Sequence, residues 1–304
     1  MKKRLFLLSI CLAGICLLAG CGGAATAAVG VAPPEDALQH PEVMSSSSVL
    51  TAPLMAGLTF SLGQDVIAHE SQTEDGVKLT STHLELPVLQ CFRKDGQEVT
   101  EALTAVEEQA LLVVNTFNAN FDVWREQNPD VTQAALEDYQ IRPEMFARYG
   151  MYYQDTLTFS SYTTDHLVSI LAVSYSYYGG AHPNTAFMTW NFDLDDGTFF
   201  SPSAIAVDEP EFEKAVTEAL IRQARLASDD VANDYWEDYE EILADWPSYA
   251  VSFDQTGMTV SFSPYELGCY ASGNHIFTLS NTFLEPYLSD YGRALLGLNE
   301  TAQK

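Results

Sequence analysis

Hydrophobic and polar positions along this chain recur with two periods, and together they predict an α+β protein. Residues 77–92 alternate around Leu84, Leu86 and Val88, the pattern of a half-buried strand. Pro87 favours an edge or bulge there, because it brings no N–H to a ladder. Asp95-Gly96 marks a turn. Residues 151–161 and 166–178 read as two strands joined by a polar turn at 163–165, and residues 186–194 as another, stopped by Asp195-Asp196-Gly197. Residues 249–254 and 258–263 read as a hairpin about Gln255-Thr256-Gly257, and 275–279 as a last short strand.

Helical spacing is clearest at Val106, Ala110, Val113, Val114, Phe117, Phe121 and Trp124, where Thr104 and Glu107 are placed as a capping box. Residues 133–148 are a weaker helical stretch broken by Pro143. Phe212, Ala215, Val216, Ala219 and Leu220 predict a second amphipathic helix. Val231, Tyr235, Tyr239, Ile242 and Trp246 predict a third, and residues 283–296 a terminal one. Short turns and alternating polarity predict antiparallel β-sheets with packed amphipathic helices, in two related or intimately packed subdomains. No repeat of about 20–50 residues is visible, which argues against a solenoid.

The N-terminus carries a different signal. Lys2, Lys3 and Arg4 precede an uncharged apolar run that ends in Leu18-Ala19-Gly20-Cys21. That order predicts a secretory signal, too short and wrongly flanked for a spanning helix. Leu-Ala-Gly-Cys resembles the bacterial lipobox, which implies lipid attachment at Cys21 and a chain held on the extracytoplasmic face of the cell membrane. Residues 21–57, rich in Ala, Gly, Ser and Pro, read as a flexible tether. The expected organisation is a signal peptide over 1–20, the tether over 21–57, and α+β domains over 58–185 and 186–304.

Charge narrows the partners. The whole chain has 42 acidic and 14 basic residues. Residues 1–20 hold three of the bases and no acid, so 42 acidic residues face 11 basic ones from Cys21 onward, a net charge of −31. Such a surface is a poor partner for nucleic acid, since phosphate binding needs clustered Lys and Arg. It suits a cationic protein, or it serves solubility alone. The 15 tyrosines and 16 phenylalanines supply a sizeable core and exclude global disorder. Beyond Cys21 only Cys91 and Cys269 remain. Export permits a disulfide between them, and two buried free thiols are the plain alternative.

Candidate chemistry is sparse. Tyr177-Tyr178-Gly179-Gly180-Ala181-His182-Pro183-Asn184 ends a strand with two glycines and presents His182 and Asn184 on a loop. It is either a tight turn whose tyrosines cap the core or a binding loop. No nucleophile or paired acid is spaced for catalysis, and the six histidines include no pair at i, i+4 around a glutamate, so neither a catalytic set nor a metal or other cofactor is expected. Asp193, Asp195 and Asp196 suggest calcium only superficially, because the EF-hand glutamate would fall at Ala204. Eight carboxylates between Asp229 and Asp245, with Tyr235, Trp236 and Tyr239 interleaved, form either a solvated helix face or a docking face anchored by Trp236.

Three motifs carry a family resemblance: Ser174-Tyr-Ser-Tyr-Tyr-Gly-Gly-Ala-His-Pro-Asn184, Asn191-Phe-Asp-Leu-Asp-Asp-Gly197, and Phe262-Ser-Pro-Tyr-Glu-Leu-Gly268 with Ala271-Ser272-Gly273 behind it. In this order they resemble the paired extracytoplasmic domains of RsiV-type anti-sigma factors, which also accompany the catalytic domain of PdaC-type peptidoglycan deacetylases. The resemblance spans roughly residues 58–288. It implies a surface that binds a lysozyme-like cationic protein or a cell-wall component, with Tyr177, Tyr178, Gly179, Gly180, His182, Asn184, Trp236, Tyr265 and Glu266 as candidates. No counterpart of those families' sigma-binding segment, transmembrane helix or deacetylase domain is expected within these residues. The expected function is therefore a non-catalytic, lipid-anchored binding protein, with a peptidoglycan-acting enzyme or accessory domain as the alternative.

Overall fold

The structure, a computed structural model, describes residues 57–126, 131–227 and 235–298, with the backbone of residues 49–50. Cys21, the signal and nearly all of the tether lie outside the described residues. The strands are β1 (Val49–Leu50), β2 (Leu58–Gln72) and β3 (Lys78–Arg93), followed by helices α1 (Ala105–Ala119), α2 (Asp122–Glu126), α3 (Thr132–Ile141) and α4 (Pro143–Ala147). Next come β4 (Tyr153–Thr163), β5 (Leu167–Tyr177), β6 (Asn184–Asp193), β7 (Thr198–Phe199) and α5 (Glu209–Ala227). The chain continues through α6 (Tyr239–Ala244), β8 (Ala250–Asp254), β9 (Gly257–Phe262), β10 (His275–Ser280), α7 (Asn281–Leu284) and α8 (Asp290–Leu295). β1 to β7 form one sheet in chain order, and β10-β9-β8 form a second. This is the expected α+β architecture with one difference. β3 and β4 pair in parallel over Thr80–Leu84 and Tyr153–Leu157, because four helices carry the chain back between them.

Two features of β3 explain Pro87. Its buried positions are Leu84 and Leu86 before the proline and Leu89 and Cys91 after it, so the inward face changes parity at that residue. β4 pairs only as far as Leu84, which leaves one side of β3 without a strand beyond it. There Asn118 of α1 takes the strand's place. Its amide donates to Leu89 O at 2.9 Å, and its Oδ1 accepts from Leu89 N–H at 2.9 Å. Pro87 has the same parity as Leu89, so its missing N–H falls on that open side.

α1 forms as its sequence predicts. Thr104 accepts from the Glu107 N–H at 3.2 Å, and Ala110, Val113, Val114 and Phe117 face inward. The Glu107 carboxylate also reaches Leu103 N–H at 2.6 Å and Arg93 Nε at 2.7 Å. Phe60, Leu89, Phe117, Phe121, Val168, Ile170 and Phe192 make the core under this helix. A second core joins α5, Trp246, the small sheet and the C-terminal helices around Phe212, Phe262 and Phe277.

The two sheets meet through side chains. Asn191 donates its amide to Val251 O at 2.9 Å, and Thr189 Oγ1 accepts from Val251 N–H at 3.0 Å. Ser169 Oγ accepts from Phe253 N–H at 2.8 Å and donates to Asn191 Oδ1 at 2.7 Å. The edge of β8 is thus satisfied by β5 and β6 without strand pairing, which removes an otherwise open ladder.

β6 keeps an unbroken register with β5 from Asn184 to Asp193. Three expectations are corrected by the structure. The third helix is confined to α6, with Tyr235 instead bridged to Gly268 and Trp246 in a 3₁₀ turn before Pro247. The terminal helix is two short ones, α7 and α8, separated around Pro286. Cys91 and Cys269 are free thiols. Cys91 packs in the α1 core, where burial pushes its thiol up to about 11, while Cys269 lies on the β9–β10 loop.

Candidate functional site

The first and third sequence motifs meet in space. The loop after β5 bends at Gly179, whose φ of +81° suits glycine, whereas Gly180 has no such φ. A Cβ at Gly179 would stand 3.3 Å from both the Asp138 carboxylate and the Arg142 guanidinium, which pair across one turn of α3. Tyr177 donates its hydroxyl to Gly180 O at 3.1 Å, closing the turn. The loop then delivers His182 to the β9–β10 connection.

His182 stacks on Tyr270, with ring centroids 3.7 Å apart and planes 18° from parallel. Its Nδ1 lies 3.0 Å from Pro183 O, which assigns the proton to Nδ1. Nε2 is then left to accept from the Tyr265 hydroxyl at 3.0 Å. Tyr265 adopts φ +74°, the one non-glycine residue with positive φ among those described. An L-residue pays about 1–2 kcal/mol for that conformation. Trp236 ties into the same loop: its indole N–H donates to Tyr265 O at 3.2 Å, and its backbone N–H to Leu267 O at 3.0 Å. Trp236 and Tyr265 remain 39% and 52% exposed. The result is a surface cluster of four rings held by hydrogen bonds, with exposed Glu237, Asp238 and Glu241 following Trp236 in the chain.

Other candidates have local duties. Glu266 Oε2 accepts from Ser263 N–H at 2.6 Å, and Ser263 Oγ accepts from Phe187 N–H at 3.0 Å, so this pair fixes the loop to β6. Asp193 is fully buried. Its Oδ1 accepts from Asp195 N–H and Asp196 N–H, and its Oδ2 from the Tyr291 hydroxyl at 2.6 Å. The aspartate triplet is thus used in its hairpin turn. Asn184 starts β6 with its side chain exposed. Of the acidic segment, residues 229–234 lie outside the described residues, and Glu240 pairs with Arg225 at 2.7 Å.

Tyr270 and Asp155 were not among the candidates from the sequence. Tyr270, the ring closest to His182, has no pattern that marks it. Tyr178, a candidate and 44% exposed, donates to Asp155 at 2.5 Å. Asp155 was legible in part, since it alternates with Leu157 and Phe159 and so shares their face of β4.

The partners of His182 are two tyrosines and its own loop, which suits binding more than proton transfer. No family model matches the sequence, and no curated protein does. Among solved structures, a member of the DUF3298 family from Bacteroides fragilis aligns with a TM-score of 0.50 and 12% identity, covering 78% of this chain and 96% of that one. The fold is of the DUF3298 type. A DUF3298 family protein from Pseudomonas aeruginosa aligns at a TM-score of 0.43 and 18% identity, over 76% of this chain and 95% of that one. No helix among the described residues is long and apolar enough to cross a membrane.

Proposed function

We propose that this chain is a lipid-anchored, non-catalytic binding protein on the extracytoplasmic face of the cell membrane, related to RsiV-type ectodomains, whose partner is a lysozyme-like cationic protein. One observation carries this reading. Trp236, Tyr265, Tyr270 and His182 form a hydrogen-bonded aromatic patch with two rings exposed, and the exposed carboxylates of Glu237, Asp238 and Glu241 follow Trp236 in the chain. Large rings in a rigid setting make interface anchors, and surrounding charge steers a partner of opposite sign. The positive φ of Tyr265 supports a binding role, since backbone strain is retained where a side chain must be held in place. Anchoring at Cys21 rests on the lipobox alone, where two acyl chains give stable attachment.

Surface-binding kinetics against lysozyme at two salt concentrations test the proposal. Trp236→Ala is expected to speed dissociation at least tenfold. Amides at Glu237, Asp238 and Glu241 are expected to slow association, with the difference fading as salt rises. Tyr265→Gly separates function from folding. It is expected to weaken binding while leaving stability unchanged or raised by up to about 1 kcal/mol, because glycine relieves the left-handed backbone. Tight lysozyme binding that none of these substitutions alters would refute the patch as the docking site.

A further inference from the structure

The register of the large sheet sets side chains in rows across its strands. Thr82 of β3 pairs with Asp155 of β4, Asp155 with Ser176 of β5, and Ser176 with Asn184 of β6. These four polar residues therefore lie side by side on one face, in a row about 14 Å long at the usual strand spacing. The next row reads Leu84, Leu157, Ser174, Ala186. It belongs to the face that carries the Leu84–Leu86–Leu157–Ala172 cluster, against which Trp124, Met188 and Trp190 pack. The face thus passes from apolar to polar within one strand repeat. Its β3 side is covered, with Thr82, Leu84 and Leu157 buried. Its β6 side is open, with Asn184 and Ala186 exposed and Asp155, Ser174 and Ser176 half-buried.

Asp155 is the unusual member of the row. Among the described residues its hydrogen-bond partner is Tyr178, at 2.5 Å, and burial pushes its carboxyl up from the ordinary aspartate range. A carboxylate drawn out of water is costly unless its oxygens receive hydrogen bonds, so Asp155 is an acceptor poised for a further donor. The half-exposed ring of Tyr178 stands against Tyr153, centroids 5.5 Å apart, and provides flat apolar surface beside Asp155, along the flank of the row.

We propose that this row binds a neutral saccharide, with Asp155, Ser176 and Asn184 bonding its hydroxyls and Tyr178 packing its C–H face. The donor and acceptor set selects that ligand. Asp155 only accepts, Ser176 does both, and Asn184 offers an amide N–H and a carbonyl, which a ligand bearing hydroxyls at every position can match. An anionic ligand would meet the Asp155 charge with no cationic side chain in the row. An apolar one would bury these polar groups unpaired. This site uses none of the Trp236–Tyr265 patch and stands independently of the docking reading.

Calorimetric titration of the full chain in detergent with chitotetraose, cellotetraose and maltotetraose tests the inference. At least one of the three is expected to bind at a single site. Asp155→Asn and Asn184→Ala are expected to weaken it about tenfold and fivefold, as for loss of a charged and a neutral hydrogen bond. Tyr178→Ala is expected to cost more than Tyr178→Phe, which keeps the ring, and Trp236→Ala to change nothing. The inference is overturned if none of the three binds at millimolar concentration, or if binding survives Asn184→Ala and Asp155→Asn unchanged. Should Asp155→Asn fail to fold, Asn184→Ala decides alone, since its exposed side chain bears no structural load. Lysozyme kinetics measured on the same variants report separately on the aromatic patch.

Discussion

Asn118→Ala puts the substitution of a side chain for a strand to a quantitative test. The asparagine makes both hydrogen bonds that Leu89 would otherwise exchange with a neighbouring strand, each 2.9 Å long. Leu89 is fully buried, so alanine orphans one donor and one acceptor. Each orphan costs about 1–3 kcal/mol, and the partly exposed position of Asn118 lets water reach the vacated place. The lower half of the range therefore applies, about 2–4 kcal/mol for the pair. At about 2–4 °C per kcal/mol for a protein of this size, the melting temperature should drop by roughly 4–16 °C. Asn118→Asp keeps the acceptor but sets a carboxylate oxygen against Leu89 O, so it should cost at least as much as alanine at neutral pH. Urea unfolding followed by tryptophan fluorescence measures both. A loss below about 0.5 kcal/mol for alanine, within the range of ordinary surface substitutions, would show that the Asn118 bonds do not hold this edge.

Two more predictions concern packing and pH. Gly292→Ala should cost about 3 kcal/mol or more, because its Cβ would lie 2.1 Å from Ile205 O, and Gly257→Ala should do the same against Leu279 O at 2.0 Å. Thermal melts check both, and near-native stability in either would refute the packing described at that site. His275 is buried, and desolvation lowers its pKa from 6.5. The unfolded chain therefore takes up the proton first, so stability should fall as pH drops below about 6.5 and level off below the folded pKa. His275→Gln should flatten that slope, and a slope unchanged by the substitution would assign it to other groups.

Much of the architecture was legible because it rests on local periodicity. The α1 stripe, the β4–β5 pair and the β8–β9 hairpin all appear where their patterns put them. The expected third helix failed for an instructive reason. Tyr235, Tyr239 and Trp246 are spaced for a helix, but they cap one core from a bridge, a short helix and a 3₁₀ turn in succession. Spacing reports which residues face inward, not the backbone that takes them there. The aromatic patch was half visible. His182 and Tyr265 were both candidates, yet 83 residues separate them, and no local signal joins partners so distant. The polar row was visible only through register, since Thr82, Asp155, Ser176 and Asn184 come from four strands.

The Ser169–Thr189–Asn191 bracket imposes an order of assembly. Its three side chains belong to β5 and β6, so the socket exists once those strands have paired, and the β8 backbone they grip lies 60 to 84 residues further along the chain. A polypeptide that emerges N-terminus first has completed its receiving surface by Asp193, before any of β8 has appeared. The small sheet then arrives as cargo to a finished berth. Closing such long loops is slow, whereas the hairpins that build the socket are local and fast. The late step is the docking of an edge onto hydroxyl and amide groups of β5 and β6, and until it occurs the side of β8 that faces away from β9 is open to water.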